Sequence, residues 1–219
     1  MTASATKLIE QFVAEATRAG SEVYQAANHE EVITHILDIA GKRNMKSVVK
    51  SKSSLANRIG LKQRLQNQDI DIKETDIREW ISQSKENTKD LSLDPEKLVE
   101  AARLTLRELY INADIGISEA TIAVAETGTC ILASNEGNDR LVSLLPRLHI
   151  TLIDQRDICA TWEEAIMKLK ELYKDKQGWR MPSFVTYLTG RNTTGDIPGA
   201  MRARAQGPEE EHIVLVNMP

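Results

Sequence analysis

Short apolar runs alternate with longer stretches of helical periodicity along this chain, and that alternation limits the fold more than any other feature. Leu8, Ile9, Phe12, Val13 and Ala16 recur at helical spacing and stop at Gly20, which predicts an opening amphipathic helix. Residues 22–27 read as a short strand, 30–42 as a helix with Val32, Ile33, Ile36 and Ile39 on one face, and 45–50 as a buried strand. A helix over 55–65 and a strand over 69–73 follow, and Glu74-Thr75-Asp76 can cap a helix carrying Trp80 and Ile81. The polar stretch 84–93 reads as a mobile loop; Asp94-Pro95 then opens a long helix through Tyr110, with proline in its first turn. Beyond Gly116 the character turns to strand, at 121–125, 130–134, 150–153, 183–189 and 213–216, with one helix over 162–173. The connection 190–207 is long and carries Gly and Arg, which marks it as functional or mobile. Strands alternating with helices in this way predict an α/β fold around a largely parallel sheet, with residues 1–43 as an N-terminal helical segment before a domain over 44–219.

Composition narrows the function classes. A chain with 41% hydrophobic and 27% charged residues buries a real core in water. At 4% aromatic it lacks the exposed rings of a single-strand stacking platform. A net charge of −4 opposes binding to a phosphate backbone, so no nucleic-acid partner is expected. Cys130 and Cys159 are the only cysteines and form no CxxC pair, so the expectation is two buried thiols and no iron–sulfur cluster or structural zinc in this chain. Glu10 and Glu15 interrupt the first 20 residues, which therefore do not read as a signal peptide. No apolar run approaches the ~20 residues of a membrane span; a cytoplasmic location is the expectation. Asn192-Thr193-Thr194 fits a glycosylation sequon, read here as a chance match.

In an open parallel sheet, ligands bind beyond the carboxyl ends of the strands, and three polar turns meet that condition: 50–53, 74–76 and 126–129. Lys50, Ser51 and Lys52 form either an anion cradle at a strand–helix junction or a solvated turn. Glu74, Thr75 and Asp76 stand at the second position. In Glu126-Thr127-Gly128-Thr129, Gly128 lets backbone N–H groups approach an anion, and Glu126 is a candidate general base or nucleophile. The same string also suits a tight hairpin with Glu126 in solvent. Asn135-Glu136-Gly137-Asn138-Asp139-Arg140 combines a polar turn with a guanidinium fork suited to a carboxylate or phosphate. His149, ahead of an apolar strand, is a proton carrier or a hydrogen-bonded structural group. His29, His35 and His212 have no metal-ligand spacing, and neither a Walker loop nor a glycine-rich dinucleotide motif is present.

Taken in order, these motifs resemble the LUD-domain family, the lactate utilization proteins B and C. The resemblance runs over about residues 48–216. It rests on Val48-Val49-Lys50-Ser51-Lys52-Ser53, Glu74-Thr75-Asp76, Ala113-Asp114-Ile115-Gly116-Ile117-Ser118, Ala125-Glu126-Thr127-Gly128-Thr129 and Asn135-Glu136-Gly137-Asn138-Asp139-Arg140. Leu145-Pro146, His149-Ile150, Gly207-Pro208-Glu209 and His212-Ile213-Val214-Leu215-Val216 complete the series. The resemblance implies a NagB/RpiA/CoA-transferase-like sheet flanked by helices. It also implies iron–sulfur partner proteins that together oxidise L-lactate to pyruvate, with this chain a stand-alone, non-redox subunit, since B-type proteins continue into a Cys-rich ferredoxin-like region that is not seen here. On that reading Glu126, Thr127, Asn135, Asn138 and Arg140 bind a small anionic metabolite, Arg140 pairing its carboxylate. Two other readings stay open: an independent enzyme acting on a CoA ester, sugar phosphate or nucleotide, and a metabolite-sensing assembly module. The apolar face of the helix over 98–109 suits a core or an oligomer interface equally well.

Overall fold

The computed structural model describes residues 3–77, 95–175, 178–179, 181–194, 202–203 and 206–217. The helix expected at Trp80 and Ile81 and the loop expected over 84–93 lie outside the described residues. In chain order, α1 (Ala3–Arg18), β1 (Glu22–Ala26), α2 (His29–Lys42) and β2 (Ser47–Lys50) lead into two short helices, α3 (Ser54–Arg58) and α4 (Leu61–Gln66). Next come β3 (Asp71–Glu74), α5 (Pro95–Asn112), β4 (Ile115–Glu119), the strands β5 (Ile122–Val124) and β6 (Thr129–Ser134), then α6 (Asn138–Leu144) and β7 (Leu148–Asp154). The chain continues through β8 (Ile158–Cys159), α7 (Trp162–Leu172), β9 (Lys174–Asp175), β10 (Gly178–Trp179), β11 (Phe184–Leu188), β12 (Thr193–Thr194), β13 (Arg202–Ala203) and β14 (Glu210–Val216).

Six strands form one parallel sheet in the order β1-β14-β7-β4-β2-β3. A smaller sheet, β11-β6-β5-β8, is mostly antiparallel. Parallel strands are covered on both faces and so read as continuous apolar runs, which is why 213–216 and 150–153 were legible. One face of the large sheet packs Val48, Ile117, Ile150 and Val214 against α2, α3 and α4. The opposite face carries α1 and the small sheet at the β14 side, through Phe12, Ile213 and Leu215. At the β2 side it carries α5 and α6, through Val49, Leu106 and Val142.

Three expectations shift. The helix expected over 55–65 is two helices, because Gly60 adopts a positive φ of 65° between them. β4 was not separated from the strand after it: Gly116, Ser118 and Glu119 dilute its apolar character, although all of 115–118 is buried. Residues 22–42 are not set apart from the main body, since β1 is an edge strand paired along its length with β14.

Asp114 ties β4 to β2 at the amino end of the sheet: its Oδ2 accepts from the N–H groups of Lys46 (2.9 Å) and Ser47 (3.0 Å) and from the Ser47 hydroxyl (2.8 Å). Burial opposes ionisation, but these hydrogen bonds and the nearby Arg147 outweigh it, and the carboxyl titrates below its ordinary value. A depressed carboxyl stabilises the fold above its unfolded pKa of about 3.9 and loses that contribution as pH falls through the lower folded value. Asp114→Asn should therefore cost about 1–2 kcal/mol at pH 7, a figure discounted for partial solvent exposure. Urea unfolding of the variant and the parent should converge below about pH 3. Equal stability at pH 7 would rule this role out.

Candidate functional site

The crossover leaving β2 through α3 and α4 lies over one face of the sheet, whereas the one leaving β4 through β5, β6 and α6 lies over the other. Adjacent strands whose connections depart in opposite directions open a crevice at their carboxyl ends. Two of the three polar turns named from the sequence, 50–53 and 74–76, come together beside it.

Lys50 is buried with its ammonium 2.7 Å from Glu74 Oε1 and 3.1 Å from the Ser51 carbonyl; the two side chains are 1% and 5% exposed. Ser51 and Thr75 are fully buried and Asp76 nearly so, while Lys52 points to solvent. Thr75 donates to the Lys50 carbonyl (3.2 Å), and Asn138 Nδ2 lies 3.4 Å from the Thr75 hydroxyl. Gly137, at a φ of 73°, turns the chain from β6 into α6 and so delivers Asn138; a side chain there would strike the Phe184 ring. Glu119, at the end of β4, spans the crevice: it accepts from the hydroxyls of Ser53 (2.7 Å) and Ser54 (3.0 Å) and from the N–H of Leu55 (2.9 Å).

Thr75, Glu136 and Asn138 form one wall of a cavity of about 500 Å³, closed on the other side by Arg103, Arg107 and Tyr110 of α5. Ile77, Leu106, Leu141 and Leu145 supply much of its apolar lining. The Tyr110 phenol is held above its ordinary pKa, first by burial; the Thr75 hydrogen bond opposes that, and Asp139 and Glu136 add to it. The cavity thus presents an apolar body, two guanidinium groups, one of them 3.4 Å from Glu100, the Glu136 carboxylate and a cluster of hydroxyl and amide groups. Arg103, Arg107 and Tyr110 were missed from the sequence, yet their spacing of four and three residues places them on one face of a helix.

Other candidates are placed elsewhere. Glu126 accepts the Trp162 N–H (2.8 Å) at the start of α7. Thr127, Thr129 and Thr189 share a chain of hydroxyl contacts at 2.8 Å. Gly128 packs so closely on α1 that a Cβ would lie 2.2 Å from the Ala16 nitrogen. These partners hold the hairpin between β5 and β6 against α1 and α7, and none of them lines the cavity. Asn135 accepts the Ser183 N–H (3.1 Å), joining β6 to the start of β11. Arg140 is exposed and lies outside the cavity lining. His149 is fully buried in the sheet, with Ser118 Oγ 2.7 Å from Nε2 and Glu211 2.9 Å from Nδ1.

Among the described residues one cluster, Glu22, Glu210 and His212, brings three possible metal-ligand atoms within 4.8 Å of one another. Arg43 already pairs with Glu210 through both ends of its fork. His212 turns a different ring nitrogen to each carboxylate, Nδ1 to Glu22 at 3.6 Å and Nε2 to Glu210 at 3.2 Å. Glu210 is thus already engaged by Arg43 and by the imidazole.

Comparison with known proteins adds to this geometry. The family model for the LUD domain matches residues 9–216. The chain is 34% identical over 233 residues to lactate utilization protein B of Bacillus subtilis, covering 94% of this chain and 47% of that protein. It is 34% identical over 226 residues to lactate utilization protein B of Shouchella clausii, covering 91% and 46%. An uncharacterized electron transport protein of Escherichia coli is 32% identical over 92% of this chain and 46% of its own length. The chain therefore spans about half the length of these relatives. The crystal structure of a DUF162 family protein from Deinococcus radiodurans superposes with a TM-score of 0.58 over 99% of this chain and 100% of that one; at 17% identity it supports the fold alone. The match to the LUD model across nearly every described element, with relatives of this identity along almost the whole chain, makes this protein a member of the LUD-domain family.

Proposed function

We propose that this chain is the non-redox LUD component of a lactate utilization system and that its cavity binds a small anionic ligand. The observation that carries the reading is 34% identity over 94% of the chain to a protein named for lactate utilization. The cavity supports the ligand class: Arg103 and Arg107 attract an anion, and Thr75, Asn138 and Tyr110 supply directional hydrogen bonds. These 219 residues hold two cysteines, too few for a four-thiolate cluster, so on this reading the electrons of L-lactate leave through iron–sulfur centres outside them. No helix among the described residues is long and apolar enough to cross a membrane.

The test is affinity purification from native cells under anaerobic conditions, with lactate-dependent dye reduction as the assay. Co-purification of iron–sulfur proteins together with that activity is the expected outcome. A protein recovered alone, with no lactate-dependent reduction in any fraction it shares, would overturn the reading. One feature favours the alternative of an independent enzyme on a larger substrate such as a CoA ester or sugar phosphate: 500 Å³ lies in the range of sites for drug-sized ligands and exceeds what a three-carbon acid fills.

A further inference from the structure

The polar groups of the cavity beside α5 are sorted by depth. At its floor stand Thr75, Tyr110 and Asn138, none of them more than 8% exposed. At its mouth stand Arg103 and Arg107, both exposed, on successive turns of α5. Tyr110 lies seven residues beyond Arg103, a separation of about 10 Å along the helix axis. Helical side chains lean toward the amino end, so the guanidinium groups extend away from the floor and not back onto it.

The floor is uncharged and does not favour an anion. Thr75 donates to the Lys50 carbonyl (3.2 Å), Asn138 Nδ2 lies 3.4 Å from Thr75 Oγ1, and Asn138 Oδ1 accepts the Asp139 N–H (3.0 Å). After burial, the charges that act on the Tyr110 phenol are those of Asp139 and Glu136, and both keep it protonated. The Lys50 ammonium, on the neighbouring strand, is already engaged by Glu74 (2.7 Å) and the Ser51 carbonyl (3.1 Å). A carboxylate at the floor would meet two like charges and, among the described residues, only neutral donors. An uncharged oxygen accepts from a phenol or an amide without that penalty.

Between floor and mouth the lining is apolar. Ile77 and Leu106 supply its inner part, while Val99, Ile111, Leu141 and Leu145 stay 41% to 57% exposed around the opening. Single exposed aliphatic residues need no account, but four around one opening mark a surface that something apolar covers. A three-carbon acid is too short to reach both ends of a site about 10 Å long, and it would leave this rim in water.

From this sorting we infer that the cavity binds an amphiphilic monocarboxylate, with its carboxylate at Arg103 and Arg107, a medium-length apolar chain along the lining, and an uncharged oxygen at its far end against Tyr110 and Asn138. The inference rests on the reading that the cavity takes an anion, and makes that anion longer than lactate. Arg103 lies 3.4 Å from Glu100 with both side chains in solvent, a contact that an incoming carboxylate displaces at little cost. Burial of the chain supplies most of the affinity, and the guanidinium groups fix its direction. Glu136, two residues before Asn138, sets selectivity by excluding a second negative charge from the floor.

Calorimetric titration of the intact chain with pyruvate, butanoate, hexanoate, octanoate, 8-hydroxyoctanoate and octanedioate tests this. Expected is one saturable site whose affinity rises about threefold per methylene from butanoate to octanoate, with pyruvate at least about tenfold weaker than octanoate. 8-Hydroxyoctanoate should bind about fivefold more tightly than octanoate, the worth of one net hydrogen bond. Octanedioate should bind at least about tenfold more weakly than 8-hydroxyoctanoate, and Glu136→Gln should narrow that gap. Arg103→Gln combined with Arg107→Gln should lower octanoate affinity about tenfold at an unchanged melting temperature and keep the increment per methylene. Tyr110→Phe should remove the preference for the terminal hydroxyl and also keep that increment. If Tyr110→Phe does not fold, the comparison of octanedioate with 8-hydroxyoctanoate in the parent decides the same point. Affinity independent of chain length, or pyruvate bound as tightly as octanoate, overturns the inference and leaves the small-anion reading standing. Octanedioate bound as tightly as 8-hydroxyoctanoate overturns it through the orientation. No saturable binding of any of these acids overturns both. Failure of iron–sulfur proteins to co-purify would count against the lactate-system reading and leave this ligand class standing.

Discussion

Lys50→Met should destabilise the protein by about 3–5 kcal/mol in urea unfolding, because it removes the ammonium that balances the Glu74 carboxylate in the interior. The Lys50 side chain is 1% exposed and that of Glu74 5%, so solvent cannot take over the lost contact. Replacing both members by apolar residues, Lys50→Met with Glu74→Leu, removes both charges. That double variant should recover most of the loss, since a buried ion pair rarely exceeds a packed apolar pair in stability. The contrast between single and double variants separates a charge kept for function from one kept for folding. A double variant that is as stable as the parent but no longer binds pyruvate would assign the pair to the ligand site. Equal losses in the single and double variants would instead make the shape of Lys50, and its bond to the Ser51 carbonyl, the structural requirement.

The α/β alternation and the parallel sheet were legible because strands covered on both faces leave uninterrupted apolar runs, as at 150–153 and 213–216. The turn at Lys50 and the turn at Glu74 were found because the carboxyl-end rule needs only strand direction and polarity. The third polar turn followed the same rule in sequence, but Glu126 stands in the turn between β5 and β6 of the small sheet, packed against α1 and α7. Local pattern cannot say to which sheet a strand belongs, so Glu126 and Lys50 looked equivalent. The partners of His149 were hidden for a related reason. Ser118, His149 and Glu211 are polar residues in three separate apolar strands, and only the parallel register brings them together. Helix α6 was read as part of a turn because it has only seven residues and opens on Gly137 without a side-chain cap.

Gly116→Val should damage both the fold and the cavity. A Cβ at Gly116 would lie 2.0 Å from the Val142 carbonyl oxygen and 3.0 Å from Pro146, so α6 must lift from the sheet. Overpacking of this kind costs about 1–3 kcal/mol and more where backbone must move, and here the obstacle is backbone. Val142 and Asn138 are four residues apart on α6 and share a face, so the displacement carries Asn138 away from Thr75. Gly128→Ala is the control. Its Cβ would lie 2.2 Å from the Ala16 nitrogen at a φ of 64°, so it should destabilise to a similar degree, but through α1. At a temperature where both variants are folded, Gly116→Val should have lost carboxylate binding and Gly128→Ala should have kept it. Loss of binding in both would mean that the hairpin bearing Glu126 and Thr127 contributes to the ligand site after all. Retention in both would remove Asn138 from it.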